Sequence, residues 1–505
     1  MSCSKLPWPI IAATLATIVS VLCFRHFISL DGPMHLLHAS IIWEGWQGIA
    51  RSAGGVYVDV GKLDLNLGDL VLIPLVRMLP VFLAHKLFAV FSLLMVYSGA
   101  LRLSMAFGSR VGPAWLLVLP VAFGFPLLLG LFHFVITCGL VLWCMAWWVQ
   151  RNELHWRDLL LFGTSIAICQ FGHRMGGVLL VGVAGMHELL GLLTTPLVTK
   201  QRWSFMPKWM RWAAAVALVA GVAFMIERNA LKAEVLSPDA HDPALEFLQM
   251  RSLLLVDRVA ELPLLIGTGL LFLFGITLAV RARWRSMRSV QPSDGLMLSA
   301  MALVIISIGV HTPKTELLYL AERTQWLALL LVAVWLGLQP MPRRMAWVLG
   351  IAIMGLHATR MLYVERRMAG SEQRDRTMLD AATHLSPNTF VVPVGFDGDW
   401  LSRHRTAYTA INHSGILFSS RDHVRWGGIL HPYWALHGYL FQAHNDWKWM
   451  EEHIRKGTAP RVDHVLVMGS WPASQDAACV KLGSTLNEHF TRTFHDGYVE
   501  VWTAK

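Results

Sequence analysis

Apolar residues gather into eleven blocks, near residues 8–28, 84–104, 113–130, 131–149, 158–172, 175–196, 212–227, 262–280, 295–311, 322–339 and 345–363. A helix needs roughly 17–25 apolar residues to cross a bilayer, so these blocks predict spanning helices, with the one after Asp158 short. Basic residues mark every second connection. They are Arg102 and Arg110, then Arg151 and Arg157, then the run from Lys200 to Arg211, then Arg281, Arg283, Arg285 and Arg288, and finally Arg343 and Arg344. Lys5 shares their side. Connections rich in Lys and Arg stay in the cytoplasm, so the pattern predicts a cytoplasmic N-terminus and a C-terminal tail outside.

Three long polar pieces then fall on the outer side, over residues 31–69, 227–261 and 370–505. The tail opens on a helix-like stretch at 371–385, closed by Pro387-Asn388. Strand-like runs follow at 389–394, 416–419, 465–468 and 498–502. The predicted fold class is mainly α: a polytopic membrane helical bundle of about 11 spans with a C-terminal α/β domain. Residues 1–369 form the membrane domain, whose first outer loop at 29–83 carries interfacial helices, and residues 370–505 a soluble α/β domain. In that loop, Leu36, Ala39, Trp43, Trp46 and Ala50 recur at helical spacing, and a second helix is expected over 70–81.

Composition agrees with this reading. The chain is 55% hydrophobic and 15% charged, against about 25% charged residues in a soluble protein. A net charge of +10 would suit nucleic acid, but the basic residues sit in the short connections, so no nucleic-acid partner is expected. Cys23, Cys138, Cys144 and Cys169 fall in apolar blocks, Cys3 at the N-terminus and Cys479 alone in the polar tail, a distribution that implies no disulfide framework. The first block lacks a small-residue cleavage site and reads as an uncleaved signal anchor.

The chemistry-bearing residues cluster where the chain leaves the membrane. Asp31-Gly32-Pro33-Met34-His35 sets a carboxylate and an imidazole one helical turn apart. Pro33 suits the first position of a helix, so Asp31 is either a helix cap or a base, and His35 serves either chemistry or packing. The same side holds His133, His173-Arg174, and the group His311, Lys314, Glu316, Glu322 and Arg323. His133 sits among apolar neighbours, as a packing histidine does, and Arg174 is placed to reach the headgroups. Glu322 and Arg323 enter an apolar block, where ionisable groups usually face a cavity. One carboxylate with several cations at a membrane surface suits a lipid-linked anion, because a guanidinium fork matches phosphate oxygens.

On these residues the chain resembles the C-type (GT-C) glycosyltransferases, and within them bacterial multispanning members with an Asp-Gly-Pro-x-His first-loop motif. The matching stretches are Asp31 to His35, Gly130-Leu131-Phe132-His133-Phe134, Phe171-Gly172-His173-Arg174 and Glu322-Arg323. The resemblance implies an inverting transferase of the bacterial inner membrane, with its C-terminal domain periplasmic. It would move a sugar from a polyprenyl-phosphate-linked donor to a glycan, lipid or protein acceptor, amid membrane lipids. It makes Asp31 the catalytic base with His35 beside it. His173, Arg174 and Arg323 then bind the donor phosphate, with His133 and Glu322 supporting. Many members carry a second acidic residue that assists a divalent cation, Mg or Mn. Here the neighbour is Gly32, which leaves that metal open. A flippase or transporter, a polymerase or ligase of lipid-linked glycans, and a non-catalytic envelope-complex subunit are the alternative readings.

Overall fold

The computed structural model describes residues 8–49, 52–53, 56–58, 65–108, 110–151, 153–194, 243–286, 290–309, 319–396, 401, 404–413, 416–417, 424–426, 463–471 and 477–505. The expected span at 212–227, the basic run from Lys200 to Arg211, and His311, Lys314 and Glu316 lie outside them.

The chain is a mainly helical membrane protein. Six described helices are long and apolar enough to cross a bilayer: α4 (Val81–Ala106), α7 (Phe132–Val149), α9 (Gly176–Thr194), α11 (whose Arg258–Arg285 stretch qualifies), α13 (Leu320–Gly337) and α14 (Arg343–Ala382). Shorter helices occupy three of the remaining predicted blocks: α1 (Trp8–Cys23), α8 (Trp156–Gly172) and α12 (Asp294–Gly309), and the short α10 (Pro243–Leu248) precedes α11 (Arg258–Ser286). Between α1 and α4 lie α2 (Gly32–Trp46), two short strands, β1 (Ser52–Ala53) and β2 (Val56–Val58), and α3 (Leu67–Met78).

The chain divides into two compact units. The first comprises Met1–Phe24, Asn66–Gly68 and Ala89–Glu365. Its core is α13, in which every residue except Val332 is buried. A helix that is apolar all round must be covered all round, and α12 is among the elements packed along it. By contrast, α11 leaves Leu262, Ile266, Leu270 and Leu273 exposed at helical spacing, a stripe suited to lipid.

The block at 113–130 departs from the expected single span. It forms a short 3₁₀ turn at Pro113–Leu117, then α5 (Val118–Ala122) and α6 (Phe125–Leu128). Gly124 and Pro126 explain the break, since proline cannot donate to the helical ladder and glycine tolerates the turn. The carbonyls released there are taken up by buried donors. Arg360 donates to Pro120 O at 3.2 Å and to Phe123 O at 3.4 Å, and Trp326 Nε1 donates to Val121 O at 2.6 Å; Arg360 also donates to Leu253 O, outside the block. Irregular backbone is tolerated at such depth only where it is satisfied within the protein.

The second unit joins Arg25–Leu65 and Asp69–Phe88 to Arg366–Lys505. Its main sheet has strand order β4-β3-β6-β8-β7, built from β3 (Phe390–Gly395), β4 (Ile416–Leu417), β6 (His464–Met468), β7 (Phe490–His495) and β8 (Val499–Ala504). The β3–β4 and β3–β6 pairs are parallel, and the β6–β8 and β7–β8 pairs antiparallel. Every residue of β6 is buried: the apolar run 465–468, and His464 before it. The described helices of the tail after β3 are α15 (Ala407–His413) and α16 (Ala477–His489). A smaller sheet runs β1-β2-β5, with Tyr57 of β2 opposite Arg425 of β5 (Val424–Trp426), so the first loop and the tail share a ladder.

Two further differences from the sequence reading have local causes. The span at 345–363 and the helical stretch at 371–385 are one helix of 40 residues. Gly370 costs about 1 kcal/mol there but does not stop a helix that lacks a proline. On α2 the predicted stripe positions Leu36 and Ala39 are buried, but Leu37, Ser40, Ile41 and Ile42 are buried as well. The helix is therefore covered on more than one face, with α15 packed against it.

Candidate active site

In the second unit, Asp31 occupies the N-cap position of α2, but its side chain makes no capping hydrogen bond. The carboxylate is turned instead to the tail, where His404 Nε2 lies 3.4 Å from Asp31 Oδ1. Both side chains are mostly covered, at 16% and 21% exposure. His35 is half-buried one turn further along α2, its N–H donating to Asp31 O at 3.0 Å.

The turn carrying His404 is anchored by buried polar contacts. Arg405 Nε and Asp375 Oδ1 form an ion pair at 2.9 Å with both side chains fully buried. The second Asp375 oxygen meets His26 Nε2. Arg405 also donates to Tyr498 OH at 3.3 Å. Tyr408 OH lies 2.9 Å from His85 Nδ1, and the other nitrogen of that ring lies 2.8 Å from Ser29 Oγ. Burial first, and then the Asp375 charge, push the Tyr408 phenol well above its ordinary value, so it stays protonated. His85 approaches α2 so closely that only a glycine fits at position 32, where a Cβ would come within 2.0 Å of His85 Nε2.

In the first unit, His133 opens α7 and is buried. His173 ends α8 in extended backbone, and Arg174 beside it is exposed. The His173 Nδ1 accepts the Met175 N–H at 3.2 Å, which leaves the proton of the neutral ring on Nε2. That nitrogen lies 3.5 Å from Arg323 Nη1. Two N–H donors thus stand side by side, an arrangement suited to an anion. Burial, then the charges of Arg323, His133 and Arg174, hold the His173 imidazole well below its ordinary 6.5, so it is neutral near pH 7. Phe134 forms the wall: the Arg323 guanidinium lies 5.6 Å from its ring centroid and the His173 ring meets it edge-on at 5.4 Å. The approach of α9 to α8 depends on Gly176, where a Cβ would meet Cys169 O at 2.1 Å.

Glu322 is buried, and Arg251 Nε lies 3.9 Å from it while also pairing with Glu246. Sequence reasoning missed Arg251 and Glu246, although they lie in the outer piece at 227–261. It also missed His404, Arg405, Asp375 and Tyr408, whose tail carries no family motif. Of the predicted residues, Asp31 and His35 belong to one unit, and His133, His173, Arg174, Glu322 and Arg323 to the other.

No group of three or more His, Cys, Asp or Glu is placed to hold a metal among the described residues.

The architecture is that of a polytopic membrane bundle carrying an α/β part, and solved structures share it. No protein-family model matches the chain, and no curated protein matches its sequence. The crystal structure of ArnT from Cupriavidus metallidurans bound to undecaprenyl phosphate is similar at a TM-score of 0.51 and 12% identity, covering 99% of this chain and 98% of that one. ArnT from the same organism in the apo state is similar at a TM-score of 0.52 and 11% identity, covering 98% and 97%. The chain therefore has an ArnT-like fold.

Proposed function

We propose that this chain is an inverting C-type glycosyltransferase. It moves a sugar from a polyprenyl-phosphate-linked donor to a glycan, lipid or protein acceptor at the periplasmic face of a bacterial inner membrane. The observation that carries this reading is the likeness to ArnT over nearly the full length of both chains, in a structure that holds undecaprenyl phosphate. In this reading the residues singled out in the sequence carry the chemistry. An acceptor hydroxyl or amine attacks the anomeric carbon, and its proton passes to the Asp31 carboxylate. The bond from that carbon to the phosphate oxygen breaks, its electron pair stays on the phosphate, and the lipid phosphate leaves. Within the first unit, Arg323 and the neutral His173 offer a pair of donors suited to a phosphate anion, with Arg174 nearby in sequence.

The test uses the purified chain in lipid nanodiscs with undecaprenyl-phosphate sugars, reading release of undecaprenyl phosphate together with sugar transfer. Asp31→Asn should lower transfer by about 10²- to 10⁴-fold, the usual contribution of a general base. It should leave undecaprenyl phosphate binding, read by native mass spectrometry, unchanged. Full transfer by a folded Asp31→Asn variant removes Asp31 from the chemistry. Binding without turnover in the wild type favours a flippase or a non-catalytic subunit.

A further inference from the structure

Asp31 would need a fixed orientation to act as a base, yet the usual device, a side-chain cap on its own helix, is not in use. The group at hand is an imidazole from the far end of the chain, 3.4 Å away. His404 is followed directly by Arg405, whose side chain is buried and ion-paired to Asp375 at 2.9 Å. Burying an ion pair requires exact partnering to offset desolvation, so Arg405 has one tolerated place and the preceding residue inherits it. Tyr408, three residues after Arg405, is tied to His85 at 2.9 Å, which fixes the other end of the turn.

We infer that His404 is a positioning residue for the Asp31 carboxylate, held in place by the buried Arg405–Asp375 pair. A Nε2–H facing one carboxylate oxygen fixes the plane of the group. The inference rests on the glycosyltransferase reading for its kinetic consequence, but the pairing itself does not. It also gives the tail a specific task, supplying the group that aims the base.

The experiment compares His404→Ala, His404→Asn and His404→Gln in the full-length protein in nanodiscs. A glutamine amide nitrogen can occupy the place of Nε2, whereas an asparagine amide reaches only the place of Nδ1. His404→Ala and His404→Asn should lower kcat on the order of 10- to 100-fold, as misplacement of a reacting group does, with the donor KM within about twofold. His404→Gln should recover most of the loss. Wild-type kcat in His404→Ala, or equal recovery by Asn and Gln, overturns the assignment. Should His404→Ala not fold, the Gln and Asn variants carry the comparison. A second readout is independent of activity: a double-mutant cycle of Asp31→Ala and His404→Asn, each of which removes the contact, on the thermal unfolding midpoint. Non-additive midpoints support the pairing and additive ones overturn it. A wild type that transfers no sugar sinks the glycosyltransferase reading and leaves this cycle to decide the pairing.

Discussion

At the scale of single residues, Gly32 carries the sharpest packing constraint around Asp31. Replacing glycine by alanine inside a helix ordinarily gains up to about 1 kcal/mol. Here the added Cβ would come within 2.0 Å of His85 Nε2 and 2.3 Å of Ser29 Oγ. Gly32→Ala should therefore destabilise the protein by about 1–3 kcal/mol, the usual range for overpacking, seen as a lower unfolding midpoint in detergent. A midpoint that rises would mean that His85 swings away at no cost. The sequence identified Asp31 because a charged residue beside a proline at the edge of an apolar block stands out locally. His404 could not be found that way. It lies in the tail among other histidines, and only the fold brings it to Asp31.

At the scale of elements, the apolar blocks were legible because membrane burial imposes both length and composition. The breaks within them were less so. The run at 113–130 is apolar throughout, and hydrophobicity alone does not reveal that it is interrupted. Its stability depends on a cation contributed by α14. Arg360 satisfies carbonyls of Pro120, Phe123 and Leu253, and truncating it leaves them without that donor in a dry interior. Arg360→Met should cost more than about 3 kcal/mol, since each charged hydrogen bond contributes about 1.5–3 kcal/mol. Hydrogen exchange should show the added opening concentrated at 118–128. Uniform loss across the bundle would contradict this role. The edge strand β7 was missed for the opposite reason: its pattern is largely exposed and offers no apolar signal.

At the scale of the molecule, the division at 369/370 expected from the sequence concerns a chain whose compact units are discontinuous. Residues 25–65 and 69–88 associate with 366–505, and hydropathy is blind to that association because it reads only local composition. One buried carboxylate ties three distant segments. Asp375 of α14 meets His26, just after α1, and Arg405 from the tail. Asp375→Asn should cost about 3–5 kcal/mol, the usual result of removing one partner of a buried ion pair. The exposed Asp380→Asn, one turn further along α14, should stay within about 0.5 kcal/mol. Equal unfolding midpoints for the two variants would rule out that role for Asp375.

The partnership of His26 with Asp375 also sets a timetable for the newborn chain. The two residues are 349 positions apart. At about 5–20 residues per second, the ribosome needs roughly 20–70 s to travel between them. Throughout that interval the N-terminal half of the contact waits without its mate. Helix α2, with its buried Leu36, Leu37, Ile41 and Ile42, must be shielded meanwhile by lipid or by a chaperone. A chain arrested before the tail is made would keep that surface uncovered, a ready mark for the proteases that clear unfinished membrane proteins.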